Sequence, residues 1–211
     1  MTDIRWDHDR EARTGIPEVV FAPGKTLEQL VRLFSEGEGL RLATRLSEAQ
    51  MEAISSLAQV DPVSRTAVRA PRASLDLSPV GVLTGGTGDI PVASEAVAVL
   101  RALGYPCLTF FDVGVAGLHR LQKVLPQLKD CPVLIVAAGM EGALPSVLAG
   151  LVDAPVIAVP TSVGSGISLG GTVALHSMLA SCSPGIAVVN IDNGFGAACV
   201  AIKMINRLGR N

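Results

Sequence analysis

Five short apolar runs recur between positions 80 and 190, at 80–84, 107–111, 133–137, 155–159 and 186–190, and each is followed by a glycine-bearing turn and a helix-length segment. Runs this short and this rich in Val, Ile, Leu and Ala suit strands buried on both faces. The segments between them, 91–103, 115–125, 142–151, 171–180 and 194–208, have the length of crossover helices. Repeated β-α units imply right-handed crossovers and a parallel sheet covered on both sides. The predicted fold class is α/β, with a three-layer, flavodoxin- or Rossmann-like parallel sheet.

The chain before this repeat has a different texture. Of the 36 charged side chains, 22 fall before position 77, whereas 18 of the 22 glycines fall after it. We therefore expect a small polar, partly helical appendage over 1–76 and a compact apolar domain over 77–211, joined at 70–79. In the appendage, 26–36 and 47–58 have the pattern of amphipathic helices with Thr26 and Ser47 as N-caps, and 18–21 suits a short strand. With 49% hydrophobic residues and a mean hydropathy of +0.46, intrinsic disorder is excluded. A formal charge of −2 and 3% aromatic residues leave neither a basic footprint nor stacking platforms for nucleic acid. Apolar windows are interrupted well before the ~20 residues of a membrane span, and the polar, aspartate-bearing first ten residues do not resemble a leader. Cys107, Cys131, Cys182 and Cys199 match no zinc spacing, so a reduced, cytoplasmic protein without membrane contact is expected.

Ligands of open parallel sheets bind outside the carboxyl ends of the strands, and the turns expected there carry most of the polar chemistry. The first contains Gly85, Gly86, Thr87, Gly88 and Asp89 before a helix with an early proline, a layout whose bare N–H groups suit a phosphate or carboxylate. Its glycine spacing is not the dinucleotide fingerprint, and no Gly-Lys-Ser/Thr follows. Asp112, His119 and Arg120 follow the second run; Gly139, Met140 and Glu141 the third; Thr161, Ser162 and Gly164 the fourth, as a second anion cradle or a plain connector; Asp192 and Asn193 the fifth. Desolvation fits a carboxyl such as Asp89 or Glu141 for acid/base work. The competing roles are helix capping for Asp89, a first-turn dipole partner for Glu141, and turn formation for Asp112 and Asp192. His119 faces either sheet or cleft, His176 is assigned to packing, and His8 to solvent. Cys107, Cys131 and Cys199 lie in or beside apolar elements as small hydrophobes. Cys182, in the polar turn Ser181-Cys-Ser-Pro-Gly185, is the candidate reactive thiol.

Several stretches carry a resemblance. Thr87-Gly-Asp89, Gly117-Leu-His-Arg120 and Ala138-Gly-Met-Glu-Gly-Ala-Leu-Pro145 resemble the motifs of the aminoimidazole ribonucleotide carboxylase (PurE) family, except that the second histidine of that pattern is Ala143 here and an acid, Glu141, stands two residues earlier. Over most of the chain the sequence is more similar to the LarB family of nickel-pincer nucleotide cofactor biosynthesis. The similarity covers the stretch from Asp7 through Arg10, Arg13, Gly15, Pro17 and Gly24 to Thr26, then 112–120, 138–146, 159–164, Ser181-Cys182 and 189–197.

The resemblance implies carboxylation of the pyridinium ring of nicotinic acid adenine dinucleotide with carbon dioxide, and hydrolysis of its phosphoanhydride, giving a pyridinium-3,5-biscarboxylate mononucleotide and AMP. It implies Cys182 as nucleophile and Glu141 as base, with Asp89 and His119 positioning the ring, carboxylates or dinucleotide. The glycine-rich turns are expected to hold phosphates and carboxylate, and Arg10, Arg13 and Lys25 to supply positive charge. No tightly bound cofactor is expected; magnesium, common in phosphoanhydride hydrolysis, is the one candidate ion. The partners are small molecules and further copies of the chain, the PurE resemblance implying an octamer. The alternatives are an aminoimidazole ribonucleotide carboxylase or mutase, and a non-catalytic protein that binds an adenine dinucleotide.

Overall fold

Short apolar stretches flanked by charged residues dominate the N-terminal third, and they build strands as well as helices. The structure, a computed structural model, describes residues 4–209. A single turn α1 (Arg10–Thr14), stopped by left-handed Gly15, leads to β1 (Val20–Phe21). Next come α2 (Leu27–Ser35), β2 (Arg41–Thr44), α3 (Glu48–Ile54), β3 (Gln59–Asp61) and β4 (Thr66–Arg69). Thr26 and Ser47 cap α2 and α3 as expected, each in a reciprocal capping box, with Gln29 and Gln50. The second helix ends at Ile54, short of the expected 58.

The four strands form one sheet in the order β1-β2-β4-β3, over a core of its own that includes Leu30, Phe34, Leu46 and Ile54. The appendage is thus partly helical, as expected, but also holds a sheet of which only β1 was legible. The strands β2 to β4 span four residues or fewer, and β2 and β4 place arginine within them. Arg41 is buried in β2, and its guanidinium donates to the carbonyls of Leu33, Glu36, Glu38 and Leu40. A charge satisfied inside the sheet erases the alternation by which a strand is recognised.

From position 80 the regular repeat appears: β5 (Val80–Thr84), α4 (Ile90–Ala102), β6 (Cys107–Phe110), α5 (Leu118–Val124), β7 (Leu134–Ala138), α6 (Ala143–Ala149), β8 (Val156–Pro160), α7 (Thr172–Leu179), β9 (Ile186–Val188) and α8 (Gly194–Leu208). All neighbouring strands pair in parallel in the order β6-β5-β7-β8-β9. This is the doubly wound, flavodoxin-like order. One face is covered by α4 and α8 through Ala96, Leu100, Ala197 and Ile202. The other carries Leu121, Leu144, Leu148 and Met178 of α5, α6 and α7.

The N-terminal region is fastened to this domain. Leu42 of β2 and Ile16 join the core beneath α4 and α8. The connecting segment 70–79 is exposed over most of its length, yet two of its amides donate back: Arg72 N–H to the Ala102 carbonyl at 3.0 Å, Leu75 N–H to that of Gly104 at 2.7 Å. Among the described residues, no helix is long and apolar enough to cross a membrane.

Candidate active site

Left-handed backbone at residues other than glycine is uncommon, and it gathers at functional turns because the surrounding fold must enforce it. Here Asp112, Met140 and Asp192 adopt φ of 58°, 53° and 55° just beyond the carboxyl ends of β6, β7 and β9. The turns after β6 and β7, together with those after β5 and β8, line a cleft of about 340 Å³ at the point where strand order reverses between β5 and β7. Its floor is glycine backbone from the turns after β5, β6 and β7, and its walls include Asp89, Arg120, Met140, Glu141 and Val163.

Asp89 is the buried acid of this cleft, at 4% exposure. It does not cap α4. Its carboxylate accepts from the Thr161 hydroxyl at 2.6 Å and from the Gly86 N–H at 2.8 Å. Burial pushes the Asp89 carboxyl above its usual range, and the hydrogen bonds from Thr161, Gly86 and the Gly139 backbone oppose the rise. Thr161 is fully buried, so its place is beneath the cleft, holding Asp89 rather than touching a ligand. Gly139 has no room for a side chain: a Cβ would lie 2.1 Å from the Val163 carbonyl oxygen. The turns after β7 and β8 therefore close on each other, joined by the Met140 N–H donating to the same carbonyl at 2.8 Å.

Arg120 reaches the cleft from α5 and pairs with Asp112, whose N–H donates to the Thr84 hydroxyl oxygen at 2.9 Å. Asp112 is thus both turn former and partner of a cationic wall. Glu141 is exposed at the cleft rim. It precedes left-handed Gly142, the N-cap of α6, so the competing role as a first-turn dipole partner does not hold: it lies outside the helix, on the turn. The cleft wall continues with Ala143, the first residue of α6.

The structure brings Gly85, Gly86, Gly88, Asp89, Arg120, Gly139, Met140 and Glu141 together around this one space. Thr87, Ser162 and Gly164 belong to the adjoining turns, and the carboxylate of Asp192 accepts the Ser162 N–H at 2.8 Å. Asn193 caps α8 through its side-chain oxygen and the Gly196 N–H. Other candidates lie elsewhere. His119 is exposed on α5 outside the cleft lining, and His176 is exposed on α7 rather than packed. Arg13 pairs with Asp7, and Arg10 lies near Cys199 of α8. The Lys25 carbonyl accepts from Gln50, and neither Lys25 nor the two arginines lines the cleft.

Among the cysteines, Cys131 is buried, while Cys107 and Cys199 pack against the core. Burial pushes the Cys199 thiol up to about 11. Cys182 is exposed, in a turn held to α6 by the Ser146 and Ser181 hydroxyls at 2.7 Å. That turn leads into the amino end of β9, whereas the cleft lies beyond the carboxyl ends.

Sequence reasoning missed Arg45, Arg65 and Glu95. Glu95 is the one acid of a largely apolar α4, at 4% exposure, a signal that was available. It accepts from the Phe195 N–H at 3.0 Å and pairs with Arg45 of the N-terminal region at 3.4 Å. Burial raises the Glu95 carboxyl above its usual range, opposed by Phe195 and Arg45. Arg45 also donates to the Asp192 carbonyl. Among the described residues no group of three or more His, Cys, Asp or Glu side chains gathers as a metal site.

Comparison with known proteins adds the following. Residues 79–209 match the AIR carboxylase family, and residues 1–70 match a LarB/PurE-like N-terminal domain. An uncharacterized protein of Methanocaldococcus jannaschii is 42% identical, covering 94% of this chain and 82% of the relative. The N5-carboxyaminoimidazole ribonucleotide mutase of the same organism is 34% identical over 59% of this chain and 76% of its own length. A phosphoribosylaminoimidazole carboxylase of Saccharomyces cerevisiae is 31% identical over 60% of this chain and 22% of its own length.

Proposed function

We propose a reaction from one premise: the chain belongs to the AIR carboxylase family and carries a LarB/PurE-like N-terminal domain, and within that carboxylase family its substrate is a pyridinium dinucleotide. On this reading it carboxylates the ring of nicotinic acid adenine dinucleotide and hydrolyses the phosphoanhydride, releasing the biscarboxylated mononucleotide and AMP. The observation that carries the reading is the wall of the cleft, where Glu141 projects from the turn and Ala143 occupies the position of a histidine in the aminoimidazole pattern. That wall offers a carboxylate base without an imidazole, which suits removal of a ring proton better than proton shuttling on an aminoimidazole.

A pyridinium is electron-poor and does not attack carbon dioxide. The Cys182 thiolate adds to a ring carbon, and the π pair moves onto the ring nitrogen, leaving a dihydropyridine. Its enamine carbon attacks carbon dioxide, forming the new C–C bond and an iminium. Glu141 takes the proton from that carbon. The nitrogen lone pair then expels the thiolate, and aromaticity returns. Asp89 and the backbone amides of the turn at Gly85–Gly88 position ring, carboxylates and phosphates, and Arg120 supplies a cation at the wall; His119, outside the cleft lining, has no part in this scheme. Arg10, Arg13 and Lys25 act in this scheme only as charge on the N-terminal region.

Because Cys182 approaches β9 from its amino end, the thiol in this reaction comes from a neighbouring copy of the chain. A rim of exposed apolar side chains supports such an assembly: Leu118, Met140, Val163, Ile167 and Leu169 are between 40% and 89% exposed. Four of them belong to the turns after β7 and β8, and apolar exposure of this kind marks an interaction site. Magnesium, if used, rides on the substrate's own phosphates.

The test is turnover. Purified protein given nicotinic acid adenine dinucleotide and labelled bicarbonate should yield a labelled, doubly carboxylated mononucleotide together with AMP. Label appearing only with an aminoimidazole ribonucleotide would replace this reading by the mutase-type one. Tight dinucleotide binding without label would replace it by a binding protein.

A further inference from the structure

A second groove of about 270 Å³ lies between the N-terminal region and the start of α4, and the reaction scheme leaves it without a role. Its walls are unlike those of the cleft. Pro23, Val63 and Pro91 give flat apolar surface, and two guanidiniums, Arg45 and Arg65, line the same space. Both arginines hold left-handed backbone, with φ of 59° and 52°. The Arg45 guanidinium is clamped by the buried carboxylate of Glu95 and by the Asp192 carbonyl, so its orientation is fixed while about a third of it stays exposed. Arg65 is anchored by its Nε, which donates to the Leu46 carbonyl at 2.6 Å, and among the described residues it has no carboxylate partner. An oriented guanidinium without a counter-charge is a site for an anion with planar or tetrahedral oxygens.

The groove and the cleft adjoin. Asp89 lines the cleft, and Pro91 and Val92, two and three residues on, line the groove. Asp192 lines the groove, and its carboxylate holds the Ser162 N–H, next to the Thr161 that holds Asp89. The start of α4 and the contact of Asp192 with Ser162 therefore lie between the groove and the cleft.

We infer that this groove takes the adenylate end of the dinucleotide, the base lying between the apolar walls and the phosphate on Arg65 and Arg45. The inference rests on the proposed reaction for the identity of the ligand, and it assigns the N-terminal region a direct part in holding the leaving nucleotide. Arg65 and Arg45 are binding residues here, distant from the ring chemistry.

The test is calorimetric titration of the full-length protein with three probes: nicotinic acid adenine dinucleotide, AMP, and nicotinic acid mononucleotide. Arg65→Asn keeps a residue that tolerates left-handed backbone, and Val63→Glu places a negative charge in the groove from a half-exposed turn position. Both variants should weaken dinucleotide and AMP by about tenfold or more, the effect of losing or opposing one charge-assisted contact. Neither should change affinity for the mononucleotide. Unaltered dinucleotide affinity in both variants overturns the inference, and so does a loss confined to free AMP, which would mean a separate nucleotide site. The two readings fail separately. If wild-type protein incorporates label from bicarbonate while the variants bind normally, the groove falls alone; if the variants lose the adenylate arm but no label is ever incorporated, the reaction falls and the groove stands.

Discussion

The hydroxyl of Thr161, at the carboxyl end of β8, donates to the carboxylate of Asp89, at the start of α4, across 2.6 Å of fully enclosed space. Two crossover units are thereby joined through one buried acid. The acid is expensive to keep ionised in that position, and the hydrogen bonds around it are what hold it there.

Asp89→Asn should separate stability from activity. Because burial raises this carboxyl's pKa in the folded state, the fold favours the neutral form. The stability contributed by that preference is present at low pH, below the unfolded-state value, and is lost as pH rises through the raised folded value. An uncharged side chain removes this cost. Thermal melting near neutral pH should be unchanged or higher in the variant, and the wild-type advantage of acidification should shrink. Turnover should fall by roughly 100-fold or more. A clear drop in melting temperature at neutral pH would show that the ionised form is the one the fold prefers.

Cys182→Ala should leave the fold nearly untouched, by less than about 1 kcal/mol, since the residue is exposed in a turn. A covalent protein–dinucleotide adduct, visible by mass spectrometry in the wild type, should vanish. Glu141→Gln should still form the adduct and stall at proton removal. If thiol and base come from different copies, a refolded mixture of the two inactive variants should regain part of the activity. No recovery in a mixture shown to exchange subunits would place both groups in one chain.

Gly139→Ala tests the closure of the β7 and β8 turns. The new methyl would collide with the Val163 carbonyl oxygen at 2.1 Å and the Thr161 hydroxyl at 2.7 Å. Overpacking of this kind costs about 1–3 kcal/mol, and it should also displace Thr161 from Asp89. Denaturant unfolding should show the loss. Near-wild-type stability together with full turnover would mean that the two turns separate freely.

Arg45→Ala leaves the Glu95 carboxylate buried with only amide donors from the start of α8. The loss should be about 1–2 kcal/mol at neutral pH, a modest figure because the guanidinium is partly exposed. Removing the cation raises the Glu95 pKa further. The destabilisation should therefore fade as pH drops and the carboxyl protonates. A loss independent of pH would assign Arg45 a packing role.

Excess chelator should leave ring carboxylation of the dinucleotide intact and slow only the phosphoanhydride hydrolysis, because the ring chemistry is assigned to Cys182 and Glu141 and magnesium to the substrate's phosphates. A chelator effect confined to phosphoanhydride hydrolysis would locate the cation on the phosphates. Loss of ring carboxylation on chelation would point to an ion bound elsewhere.

The parallel sheet was legible because each strand is a continuous apolar run closed by glycine, a signal that depends only on neighbours in sequence. Val80–Thr84 and Gly194–Leu208 emerge with the expected bounds, and the turns that carry Asp89 and Glu141 do meet at one cleft. What sequence reasoning could not see is contact between distant segments. Arg45 and Glu95 are 50 residues apart, and nothing near Arg45 announces its partner. Arg10 and Arg13 looked suitable as guanidinium pairs, but Asp7 lies close enough to engage Arg13 locally. The exposed position of His176 was misread because its helix is short and mostly apolar, so the exposed face it shares with Thr172 leaves only a weak polar signal.

The connecting segment 70–79 lies open to solvent, but its amides are tied to the end of α4, and the regions it joins share the apolar seam of Ile16 and Leu42. A protease that nicks the chain there would cut a covalent bond without parting the halves. Residues before and after the nick would behave as two subunits of a complementing pair, held by the seam and by Arg45 on Glu95. The polypeptide link then serves mainly to set local concentration, and the two halves, made as separate chains, should find each other and reassemble.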